Sequence, residues 1–127
     1  MTTEQNRVRA LLDQVAACRS TDATAARKLA LEARVQARAS GLVLDEAEAL
    51  YQLASIAHQH QQADDAFALA SEAVQLAETG DANLTHAWSL HLIGVVHYQA
   101  SNFASALESC LAAIQVYRAT GDDINEG

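Results

Sequence analysis

Apolar residues recur along this chain at steps of three and four, and short polar stretches interrupt the runs at regular intervals. Leu50, Leu53, Ala54 and Ala57 form one stripe, and Ala66, Leu69, Ala70, Ala73, Val74 and Ala77 form the next. That period places each stripe on one face of an α-helix, whereas a half-buried strand needs strict alternation. The polar breaks at Gln61-Gln62 and Ser101-Asn102 are short, so each pair of stripes predicts two antiparallel helices joined by a tight turn. Asn102 is placed to cap the helix after its break. Each second helix is expected to end near Gly41, Gly80 or Gly121, where glycine can take the left-handed conformation that closes a helix. Two of the three continue as Gly-Asp, at Asp81 and Asp122.

The pattern repeats. A shift of forty residues lays Leu50 on Leu90, Leu53 on Ile93, Ala54 on Gly94, Ala66 on Ala106, Ala73 on Ala113 and Val74 on Ile114. The same step backwards carries Ala66 to Ala26, and Ala70 and Ala73 to Ala30 and Ala33. Three copies result, read as one all-α domain over 1–127 with six helices in hairpins at about 4–40, 43–80 and 83–120. The first copy is the loosest. Its opening helix, marked by Val8, Leu11, Leu12 and Val15, is expected to fit only if the following turn is about two residues shorter. Residues 121–127 are expected to open a further repeat or a linker, as in a segment of a longer protein whose open last hairpin self-associates.

Composition sharpens this picture. The chain has no proline, five glycines and only six aromatic residues, so Ala, Leu, Val and Ile must fill its interior. Small residues at a helix crossing let two backbones approach, and Gly94 beside Ala106 and Ala54 beside Ala66 are the predicted close contacts. The net charge of −8 argues against a sequence-independent grip on nucleic acid or an anionic membrane. Residues 1–40 hold seven of the eight basic side chains against four acids, a balance of +3, and the remainder carries −11. Either two faces are differently solvated, or a basic first hairpin meets an acidic surface in a dimer or another domain. Cys18 and Cys110 have no metal-ligand or redox spacing and are expected to be small buried residues. The N-terminus has no apolar run of secretory length, and no stretch nears the roughly 20 apolar residues a membrane span needs. A cytoplasmic location is expected.

The third copy resembles the tetratricopeptide repeat family. Leu90, Ile93, Gly94, Tyr98, Phe103, Ala106 and Ala113 follow that family's spacing of a large apolar residue, a leucine-glycine pair, aromatics and two packing alanines. His97 replaces the usual tyrosine, Ala54 the usual glycine, the closing proline is missing, and the repeat is nearer forty than about thirty-four residues. This resembles the long-repeat variety of bacterial signalling proteins. The resemblance implies a right-handed superhelical stack whose concave groove is lined by the first helix of each hairpin. Carried over position by position, the groove residues are Glu48, Tyr51, Ser55, His58 and Gln59 in the second copy. In the third they are Trp88, His91, Val95, Tyr98 and Gln99, and the first copy contributes Asp13. Tyr51 and His91 stand where carboxylate-clamping members carry lysine, so no such clamp is expected. The implied function is a protein- or peptide-binding, regulatory module whose output, such as a nucleotide cyclase or transcription regulator, lies elsewhere. The alternative is a homo-oligomerisation scaffold, a homodimer or a free-standing adaptor without a separate peptide ligand.

No catalytic chemistry is expected. His58, His60, His86, His91 and His97 miss the three- and four-residue steps that bring helix ligands together, so no metal site is expected. His97 is expected at a core boundary, and His58 and His91 on the groove. Asp64-Asp65 and Asp122-Asp123 are read as favourable charge near helix starts rather than as paired catalytic acids. No glycine-rich strand-to-helix loop is present to cradle phosphate, and no nucleophile elbow, so neither a cofactor nor an enzymatic activity is expected.

Overall fold

The computed structural model describes residues 2–80 and 83–126, the side chains of 80, 83 and 120–126 excepted. Six helices follow in order: α1 (Thr3–Cys18), α2 (Ala23–Ala39), α3 (Val43–Gln59), α4 (Ala63–Gly80), α5 (Asn83–Gln99) and α6 (Phe103–Glu126). They form three antiparallel hairpins, α1 with α2, α3 with α4 and α5 with α6, and each second helix also packs on the next hairpin's first helix. Among the described residues no strand occurs, so the chain is an all-α stack of helical hairpins.

Three of the junctions close in the same way. At Ser40-Gly41-Leu42, His60-Gln61-Gln62 and Ala100-Ser101-Asn102 the middle residue has positive φ (+70° at Gly41, 61° at Gln61, 66° at Ser101). The N–H three residues past the helix then donates to the carbonyl five positions back: Leu42 to Ala37, Gln62 to Ala57 and Asn102 to His97, at 2.8 to 2.9 Å. This double-bonded ending satisfies carbonyls that the helix leaves unpaired, and it turns the chain sharply into the next helix. Asn102 sits directly before α6, and Asp64 and Asp65 lie in the first turn of α4.

The first hairpin turns differently. Residues 19–22 separate α1 from α2, against 60–62 and 100–102 in the other hairpins, so this turn is one residue longer rather than shorter. It shows no positive φ, and Asp22 caps α2 by accepting from the Ala25 N–H at 3.1 Å. At the other end, α6 continues through Gly121 to Glu126, where closure was expected at the glycine. Asp122 and Asp123 therefore lie late in a helix rather than at a helix start. Asp81 lies outside the described residues.

The interior is built as the alanine content demands. Ala26, Ala30, Ala33 and Ala37 of α2, and Ala66, Ala70 and Ala73 of α4, are fully buried, most of them in clusters shared with the hairpin partner and the next hairpin's first helix. Val8, Leu12 and Val15 of α1 pack over the first set, which is how α1 keys into the stack. Each such side chain taken out of water stabilises by about 1.5 to 3 kcal/mol. Ala54 and Ala70 share a cluster with Leu92 and Ile93, and Ala57 and Ala66 share one with Val96. Gly94 lies against α6 so closely that a Cβ there would meet the Ala106 carbonyl oxygen at 3.3 Å and the Cys110 sulfur at 2.7 Å. Cys18 and Cys110 are free and only half-buried.

The backbones of the first helices run close together, α1 against α3 and α3 against α5, whereas among the described residues the backbones of α2 and α4, and of α4 and α6, stay more than 8 Å apart at their Cα atoms. The first helices thus make the tighter, inner layer and the second helices a splayed outer layer. No described helix is long and apolar enough to cross a membrane.

Candidate functional site

The inner layer carries the residues expected to line a groove, and it opens with an ion pair. Arg9 of α1 donates from both terminal nitrogens to Glu48 of α3, at 3.1 and 2.6 Å, and its Nε lies 3.3 Å from Asp13 one turn on. Asp13 and Glu48 are thereby joined through one guanidinium. The Glu48 hydrogen bond raises the Arg9 pKa further. Burial pushes the neighbouring Asp45 carboxyl up, despite the attraction of Arg9. One turn deeper, Arg19 donates to the buried Gln52 at 2.6 Å. Glu48 is therefore committed to holding α1 on α3, and Arg9, its partner, was not singled out in the sequence.

Beyond that ion pair the inner face becomes aromatic. Tyr51 of α3 and Trp88 of α5 stand with ring centroids 5.6 Å apart, tilted by 38°. They span the two hairpins. Trp88, His91, Val95 and Tyr98 follow at three- and four-residue steps along α5 and so share a face. His91, Tyr98 and Gln99 are exposed, Trp88 and Val95 half-buried. Tyr98, 65% exposed, meets Phe103 edge to face at 5.4 Å across the last turn. On α3, Tyr51 and His58 are half-buried and Gln59 is exposed, but Ser55 is buried and presents nothing to a partner. The structure so brings Tyr51 and Trp88 together, and Tyr98 lies ten residues further along the same face of α5, against Phe103.

The outer layer holds a second feature, which the sequence reading passed over. Between α2 and α4, above the end of α3, lies an open groove of about 740 Å³. Leu53, Ile56 and Leu69 lie at its base, and Arg27, Lys28 and His60 along its sides. Arg34 crosses from α2 to Glu72 of α4 at 3.2 Å. The signal that could have found it is the repeat itself, because the forty-residue step carries Phe67 and Val74 back onto Arg27 and Arg34.

The histidines stay apart. His97 packs edge to face on Phe67 at 5.4 Å, and His86 lies 3.7 Å from the Glu78 carboxylate. Among the described residues no three His, Cys, Asp or Glu side chains converge as metal ligands would. Compared with protein-family models, with curated proteins and with solved structures, the chain finds no match.

Proposed function

We propose that this chain is a protein-interaction module of tetratricopeptide-like hairpins, acting in the cytoplasm, that holds a peptide segment of its partner along the inner layer of first helices. The observation that carries this reading is the Tyr51–Trp88 pair, continued along α5 by His91, Val95 and Tyr98. Large, rigid aromatic side chains lose little entropy on binding and supply most of the energy at protein interfaces. Arg9 is already paired with Glu48, and Arg19 is half-buried with its guanidinium turned to the neutral Gln52 amide, so the partner segment is anchored by apolar contacts more than by charge. A regulatory role towards an output domain fits such a module. Peptides selected from a randomised display library against the intact chain test the site. Replacing Tyr51 and Trp88 by Ala should abolish their binding and leave the oligomeric state unchanged; binding that survives both changes puts the site elsewhere.

A second reading rests on α6. Leu107 and Ile114 occupy the positions of Phe67 and Val74, which pack against α5 although Phe67 stays 40% exposed; they are 62% and 45% exposed, and Leu111 and Phe103 extend the same bare stripe. Such a stripe suits a scaffold that pairs two chains. Light scattering of the Leu107→Glu, Leu111→Glu variant separates the readings: a dimer that becomes monomeric favours the scaffold, and a chain monomeric throughout removes it.

A further inference from the structure

The groove between α2 and α4 exists because the repeat changes character there. Arg27 and Ala57 stand where Phe67 and His97 stand forty residues later. At the second junction those two rings meet edge to face at 5.4 Å and occupy the space between hairpins. At the first junction an exposed cation and a methyl group leave that space open. Arg34, in place of Val74, bridges it to Glu72 instead of packing into it.

We propose that this groove is a docking site for an acidic, amphipathic helical segment of a partner protein. Its apolar side chains would lie along Leu31, Leu53, Ile56 and Leu69, and its carboxylates against Arg27 and Lys28. Charge complementarity selects the partner. One wall of the groove is α2 of the basic first hairpin, in a molecule that carries −11 beyond residue 40, and Asp65 is the single carboxylate among the residues lining the groove. An acidic segment is therefore repelled by most of the surface and attracted here. The apolar base and Leu31, 41% exposed, ask for hydrophobic anchors at helical spacing, which a nucleic-acid backbone does not offer. Arg27, Lys28, Leu31, Gln62 and Asp65 are all exposed, so the groove is open along its sides and could not enclose most of a small ligand.

The test uses a fluorescein-labelled peptide of about fifteen residues, the length at which an isolated helix becomes marginally stable. It carries leucines at helical steps and glutamates elsewhere, and fluorescence anisotropy follows its binding to the intact chain. A lysine-for-glutamate version and a single-stranded oligonucleotide serve as competing probes. The acidic peptide should bind saturably and the basic one should not. Arg27→Glu with Lys28→Glu should weaken it at least tenfold, while Tyr51→Ala with Trp88→Ala should leave it unchanged. A second variant, Arg27→Phe with Ala57→His, transplants the pair that fills the second junction and should block binding while keeping the fold. Equal binding of both peptides, preference for the oligonucleotide, or unchanged affinity in the transplanted variant would overturn the proposal.

Discussion

Arg9 on α1 holds Glu48 on α3 through both of its terminal nitrogens, at 3.1 and 2.6 Å, across the seam between the first two hairpins. Paired side by side, the two planar groups add a directional contact to the apolar packing of Val8, Leu12 and Val15 that keys α1 into the stack. Because Arg9 is more than a third exposed, solvent screens the pair. A double-mutant cycle of Arg9→Ala and Glu48→Ala, read by denaturant unfolding, should give a coupling of about 1 kcal/mol. Strictly additive single changes would show that the pair contributes nothing.

Asp45, next to this pair, should make stability depend on pH in a direction set by its burial. Burial raises its carboxyl pKa, so the folded chain binds that proton more tightly than the unfolded chain does. The contribution of Asp45 to stability is then fully present below its unfolded pKa and lost as the pH rises through its folded value. Titration of the Asp45 side-chain carbon by NMR should place it above an ordinary aspartate. A value below would mean that Arg9 outweighs burial.

Gly94 and Cys110 should be coupled. Alanine favours a helix interior over glycine by about 1 kcal/mol, but a Cβ at residue 94 would lie 2.7 Å from the Cys110 sulfur. Gly94→Ala alone is therefore expected to be neutral or destabilising, and Gly94→Ala in a Cys110→Ala background less costly or stabilising. Thermal melts of the four chains check this, and equal effects in both backgrounds would contradict the close approach.

Gln61 and Ser101 hold positive φ without being glycine. An L-residue in that conformation is disfavoured by about 1 kcal/mol. Gln61→Gly and Ser101→Gly should each raise the midpoint of urea unfolding, since glycine adopts this turn without a Cβ conflict. A lowered midpoint would mean that the side chains serve the turn.

The hairpins were legible because the helical period and the forty-residue step are properties of the sequence itself: Ala26, Ala66 and Ala106 mark the same buried place three times. The inner aromatic residues were legible to the extent that the resemblance supplied positions, but it placed the buried Ser55 on the surface. What escaped depends on distance and packing. Arg9 and Glu48 are 39 residues apart, and Arg9 lies in the first copy, whose turn is longer rather than shorter than the others. Gly121 invites a helix end, yet one glycine costs a helix only about 1 kcal/mol, and α6 runs past it. The outer groove is marked only by a comparison of copies, in which Arg27 and Arg34 stand where Phe67 and Val74 stand forty residues later.

Binding of a partner segment at Tyr51 and Trp88 is most directly tested through Trp88, the only tryptophan in the chain. Library-selected peptides should be titrated into the intact protein while the emission of that residue is recorded. A saturable change in Trp88 emission, weakened at least tenfold in titrations of Tyr51→Ala, is the predicted result. Peptides that bind without altering Trp88 emission and with full affinity for Tyr51→Ala would contradict it.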